Sequence, residues 1–135
     1  FQCESIDAPS PSYVRGLRHA TLAARNTTVA YAVRGGLARR GPDGSWMHSS
    51  WGAHVTALAM VDDHGTVLAA SYSTADDTTS LIRWSVSGEA SIVARIGARM
   101  EDPDSDGRVL AMACDDLRGV VWLAGGFGVA AFAMR

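Results

Sequence analysis

Val55-Thr-Ala-Leu-Ala-Met-Val61, Thr66-Val-Leu-Ala-Ala-Ser-Tyr72, Leu81-Ile-Arg-Trp-Ser-Val86 and Ala90-Ser-Ile-Val-Ala-Arg-Ile96 follow one another between Val55 and Gly97. Asp62-Asp63-His64-Gly65 separates the first two runs, a polar loop the next two, and Ser87-Gly88-Glu89 the last two. Short runs of β-branched and aliphatic residues, punctuated by Gly, Asp and Ser, are the signal of strands joined by hairpins. The stretch therefore predicts one complete four-stranded antiparallel sheet. Within it Ile82, Trp84 and Val86 alternate with Arg83 and Ser85, and Ile92, Ala94 and Ile96 repeat the period of two. That period predicts a buried face carrying those residues on each strand.

The flanking sequence repeats the unit. His19 to Ala24 and Arg108 to Cys114 match His54 to Met60 as first strands. Polar turns follow each: Arg25-Asn26-Thr27, Asp62 to Gly65, and Asp115-Asp116-Leu117-Arg118-Gly119. Thr28 to Val33 and Val120 to Ala124 stand as second strands, Leu37 to Arg40 and Val129 to Met134 as third strands. Ser45 to Trp51, after Gly41-Pro42-Asp43-Gly44, is a fourth strand, and the third unit has no counterpart to it. A competing helix over Tyr13 to Ala24, with Val14, Leu17 and Leu22 near one face, is less consistent with the repeat.

Four strands per unit at a period of roughly 40 to 50 residues is the pattern of β-propeller blades. The expected fold is all-β, built of propeller-type four-stranded antiparallel blades at about residues 19–52, 54–97 and 108–135. Residues 1–16, with the linker-like Pro9-Ser10-Pro11-Ser12, form an N-terminal extension. Such sheets are apolar on both faces and are stable only when stacked on neighbours. A closed ring takes at least about four blades, so the ring is expected to be incomplete, either a part of a larger propeller or completed by other chains. The opening at Phe1 rather than Met fits a processed or partial chain. The edge after Met134 needs a pairing strand to avoid aggregation, and Phe1 to Ile6 is a candidate donor.

Met60-Val-Asp-Asp-His-Gly-Thr-Val-Leu-Ala-Ala-Ser71 and Cys114-Asp-Asp-Leu-Arg-Gly-Val-Val-Trp-Leu-Ala-Gly-Gly126 resemble bacterial seven-bladed-propeller and NHL-type repeats. In those repeats an Asp-x-x-Gly-Asn turn joins a Val/Ala-rich strand to the next one. Leu81-Ile-Arg-Trp-Ser-Val-Ser-Gly88 is similar to their third strand and turn. The likeness covers about residues 19–134, and Thr66 and Val120 stand where the repeats carry Asn. It implies a propeller scaffold and no catalytic residues.

Composition bounds the function. Hydrophobic residues make up 47% of the 135 residues and charged ones 19%, which describes a folded chain rather than a disordered one. A net charge of −2 leaves no electrostatic footprint for nucleic acid. No apolar run approaches the ~20 residues of a membrane span. All basic residues are Arg, a bias that points to a GC-rich coding sequence. Cys3 and Cys114 suit one disulfide in an oxidising compartment and match no metal motif. Cys114 reads more simply as a buried small hydrophobe. Asn26-Thr27-Thr28 is a formal glycosylation acceptor with meaning only in a secretory pathway.

Few residues carry chemistry. Asp102, Asp104 and Asp106, followed by Gly107, place carboxylates at alternate positions, as a Ca²⁺ loop does. Leu110 and Ala113 stand where further ligands are needed, so a solvated acidic loop is the simpler reading, with Ca²⁺ as the ion it would take. His19, His48, His54 and His64 have no metal-ligand spacing, and no nucleophile elbow accompanies Ser49 or Ser50. Trp84 and Trp122 are expected to be buried between blades. Trp46 and Trp51 flank Met47 to Ser50, marking Trp46, Trp51 and His48 as candidate binding residues. Gly125-Gly126-Phe127-Gly128 is a tight turn, and Arg34, Arg39 and Arg40 are a solvated basic rim. The expected function is a non-catalytic protein-interaction or assembly scaffold, whose partners are other proteins or further copies of the chain. A carbohydrate- or small-ligand-binding propeller, or a non-catalytic part of a larger propeller enzyme, is the alternative. No organic cofactor is implied.

Overall fold

A computed structural model describes residues 21–33, 35–51, 54–97 and 107–134. All regular structure among them is strand. Sheet I comprises β1 (Leu22–Arg25), β2 (Thr28–Val33), β3 (Gly36–Arg40) and β4 (Trp46–Ser50). Sheet II comprises β5 (His54–Met60), β6 (Val67–Ser73), β7 (Thr78–Trp84) and β8 (Ala90–Gly97). Sheet III comprises β9 (Val109–Asp115), β10 (Val120–Gly125) and β11 (Gly128–Ala133). Each is an antiparallel meander in chain order, with strands where the sequence places them, to within a few residues at their ends. The sheets form no closed ring among the described residues. The N-terminal extension, the Tyr13 to Ala20 part of the competing helix, the candidate closing strand, Arg34 and Asp102, Asp104 and Asp106 lie outside the described residues.

The turns show why the sequence breaks there. In sheet I the Gly41 N–H donates to the Ser45 carbonyl and the Gly44 N–H back to Gly41. In sheet II Ser85, Glu89 and Gly88 repeat the pattern bond for bond. Gly44 and Gly88 have φ of 82° and 95°, a region glycine enters without a Cβ clash. The first turn of sheet II is held by Asp62, whose Oδ1 accepts the N–H groups of His64 at 2.9 Å and Thr66 at 3.0 Å. These are the local bonds that make Asp a turn residue. Burial pushes the Asp62 pKa up, and those bonds, the Thr66 contribution foremost, outweigh it and leave the carboxyl below its ordinary value.

Sheet II is the middle layer. Its first strand, β5, lies against both β1 and β9, so the three first strands gather while later strands lead away. One face of sheet II packs on sheet I: Val55, Leu58, Met60, Val67, Ala69 and Trp84 meet Ala30, Ala32 and Leu37. The other packs on sheet III: Ala57, Ala59, Leu68, Ala70 and Leu81 meet Val109, Val121, Leu123 and Phe127. Strict alternation would group Val55 with Ala57. A register shift around Thr56 resets the faces, as an extra bulged residue does.

Several expectations are corrected. Val86 lies beyond the end of β7 and is 49% exposed rather than buried with Ile82 and Trp84. Ile92 does not share a buried face with Ala94 and Ile96. The pairing shifts between Leu81↔Ala94 and Ile82↔Ile92, so Val93 is extra and Ile92 turns to the opposite face, 53% exposed. Trp84 is fully buried, but Trp122 is 41% exposed and its indole N–H donates to Asp115 at 3.3 Å. Arg39 is no part of a solvated rim: it is 5% exposed. Its guanidinium lies 4.1 Å over the Trp84 ring and donates to the carbonyls of Gly65 at 2.9 Å, Ser85 at 3.0 Å and Val86 at 3.2 Å. Burial pushes its pKa down, and the ring and carbonyls offset part of the lost hydration. Arg39 thereby pins β3 of sheet I to two turns of sheet II.

Candidate functional site

The sheets stack by one size rule. The face of sheet I toward sheet II carries Ala23, Ala30 and Ala32 on its first two strands, and the face of sheet II toward sheet III carries Ala57, Ala59 and Ala70. Larger residues of the next sheet press onto each: Val55, Leu58 and Met60 in one case, Val109, Val121 and Leu123 in the other. Small side chains let the next backbone approach, and large ones fill the remaining space.

Sheet III also carries several alanines, around Trp122, on a face with nothing on it among the described residues. Trp122 pairs with Ala113 and Ala131, and Ala124 with Ala111 and Val129, so these residues share the face turned away from Val121 and Leu123. Val129 is 69% exposed, and the neighbouring Leu110, at the β9 register shift, is 53% exposed. A contiguous apolar surface of this kind marks an interaction site more often than chance exposure does.

The opposite end of the stack is the outward face of sheet I. Trp46 pairs with Arg40 and His48 with Ala38, placing both on the face that also carries Tyr31, whose ring meets Trp46 edge to face at 5.5 Å. His48 is exposed and Trp46 half-buried. Trp51 lies elsewhere: it packs against the core between sheets I and II, edge to face with Trp84 at 6.2 Å. Trp46 and His48 are thus brought together, and Trp51 is parted from them. The Trp51 ring instead walls a cleft of about 370 Å³ with Ser71, Ser73, Ser80, Ile82, Ala90, Ser91 and Ile92. Sequence reasoning passed over those serines; their spacing within β6 and β7, two residues apart and cross-paired, was the available signal.

The first turns of the three sheets meet in an ionic clamp. Arg25, ending β1, donates through Nε to Asp63 of sheet II at 2.7 Å, and through Nη1 and Nη2 to Asp116 of sheet III at 3.0 and 2.8 Å. Arg25 holds the Asp116 carboxyl below the usual range, helped by the Cys114 thiol. Cys114 is a free, half-buried thiol rather than a buried hydrophobe, 3.3 Å from Asp116, with its pKa raised by burial and by that carboxylate. Among the described residues no cluster of His, Cys, Asp or Glu could hold a metal, and no helix is long and apolar enough to cross a membrane.

No protein-family model matches this chain, and no curated protein matches it. A solved structure similar in fold is the extracellular domain of BT4673, described as a one-component system, from B. thetaiotaomicron. The likeness has a TM-score of 0.53 at 16% identity and covers 90% of this chain but only 16% of that one. At that identity the two share a fold, and the chain spans about a sixth of its neighbour's length.

Proposed function

We propose that this chain is a non-catalytic assembly module, a run of propeller-type blades that binds further sheets of its own kind. The observation that carries the reading is the open face of sheet III. It has alanines around Trp122, as sheets I and II have where each receives a neighbour, and it presents them to solvent. The gathering of the first strands β1, β5 and β9 supports a blade arrangement around a common axis, as does the identical third turn of sheets I and II. A likeness to a short part of a longer chain is in keeping with sheets that belong to a longer series.

The surface proposed to meet the open face is the outer edge of sheet I on another copy, where Leu22 is 61% exposed, His48 exposed and Trp46 half-buried, over a buried Tyr31 and Ala38. Such a contact is head to tail, so it closes a ring or runs on as a filament. Sedimentation equilibrium should show association that rises with concentration. Val129→Asp and Leu22→Asp should each abolish it, and mixing the two variants should restore a dimer, since each retains one intact face. A chain that stays monomeric at every concentration, with both variants indistinguishable from it, would refute the reading.

A further inference from the structure

The cleft walled by Trp51 departs from the size rule that governs the rest of the stack. The face of sheet II toward sheet I is apolar wherever sheet I covers it: Val55, Leu58, Met60, Val67, Ala69 and Trp84. Where the two sheets splay apart, that face changes to hydroxyls. Ser71 and Ser80 are direct cross-strand partners, and Ser73 follows two residues on, so all three project from the same face. Ser91 of β8 also borders the cleft, but it pairs with Arg83 rather than Ile82, so its side chain lies on the opposite face of the sheet. Of the three hydroxyls that share a face, Ser71 is buried, Ser80 half-buried and Ser73 exposed. The indole N–H of Trp51 is buried from solvent, so the ring offers the cleft carbon surface rather than a donor. Each hydroxyl both donates and accepts, so the cleft offers three such groups against one aromatic wall.

We propose that this cleft binds a neutral cyclic polyhydroxylated ligand, a saccharide ring. Its volume of about 370 Å³ falls in the range of small-molecule sites, roughly 300–1,000 Å³. No charged side chain is among its described lining, which disfavours phosphates, carboxylates and amines and leaves neutral hydroxyl compounds. A sugar ring presents one face of C–H groups and a rim of hydroxyls. The C–H face suits Trp51, Ile82 and Ile92, whose exposed 53% would be covered, and the rim suits Ser71, Ser73 and Ser80. A site of this kind works with the splayed edge of one sheet pair, so it is independent of the open face of sheet III and of any further copy.

The test titrates the 135-residue chain with methyl α-glucopyranoside, methyl α-mannopyranoside and methyl β-galactopyranoside, with cyclohexanol as a ring without the hydroxyl rim. Binding is followed by calorimetry and by saturation-transfer NMR. At least one glycoside should bind with a Kd on the order of 1 mM, and cyclohexanol about tenfold more weakly or less. Ser73→Ala and Ser80→Ala, at exposed and half-buried positions, should each weaken the glycoside about three- to tenfold with an unchanged circular dichroism spectrum. Trp51→Phe should lose binding further, checked against its own melting curve. Absence of binding by every glycoside, equal binding of cyclohexanol, or serine variants with unaltered affinity would each overturn the proposal.

Discussion

Sheets II and III are built from the same pattern of strands and turns, yet one is a core and the other half a surface. Every strand of sheet II except β8 is largely buried on both faces, because sheet I covers one and sheet III the other. Sheet III has the same alternation, but only the face bearing Val109, Val121 and Leu123 is dry. Each sheet thus takes its burial from its position in the stack as well as from its own sequence, as expected when a sheet touches only its neighbours.

Two tryptophans give the sharpest contrast. Trp84→Ala removes a fully buried ring that supports Arg39 and Trp51, and should cost about 3–5 kcal/mol in urea unfolding. Trp122→Ala, on the open face, should change stability by no more than ~0.5 kcal/mol in the monomer. Equal losses at the two sites would mean that the open face is covered in solution and would break the comparison. Next in size is Arg39→Met, expected to cost about 2–3 kcal/mol. It keeps much of the side-chain volume but leaves the carbonyls of Gly65, Ser85 and Val86 without their donor, which should lower the urea midpoint.

The sequence made the meander legible because turn chemistry is local. Asp62 bonding to its own turn, and Gly44 and Gly88 at positive φ, announce hairpins without reference to anything distant. The three sheets and their boundaries followed from that. What the sequence hid depends on which sheet lies opposite. Arg39 and Trp122 have the residue types of their neighbours, and nothing nearby says that one meets a dry partner face while the other meets water. Register shifts at Thr56 and Val93 were equally hidden, since one extra residue reverses the faces without changing the composition. The candidate binding residues fared the same way. Trp46, His48 and Trp51 are close in sequence, but the end of β4 sends Trp51 into the cleft toward sheet II, beside serines 20 to 40 positions further along the chain.

The weakest link between the layers is the Arg25 clamp, and it asks whether sheet III is held by its core or also by charge. Arg25 belongs to sheet I, so its bond to Asp116 spans sheet II and joins layers that share little else. The carboxylate of Asp116 is held below its ordinary range, first by Arg25 and then by the Cys114 thiol. A carboxyl whose folded pKa is depressed contributes stability that is complete above its unfolded value, about 3.9, and lost as the pH falls through the folded value. The wild type should therefore exceed Arg25→Gln in unfolding midpoint at pH 7, and the gap should close in acid below about pH 4. Because the clamp is exposed to solvent, the gap should also shrink in high salt. A gap that persists unchanged in acid and in salt would mean that Arg25 acts by packing between the first turns. Sheet III would then owe its place to contact alone, like the covered face of sheet II.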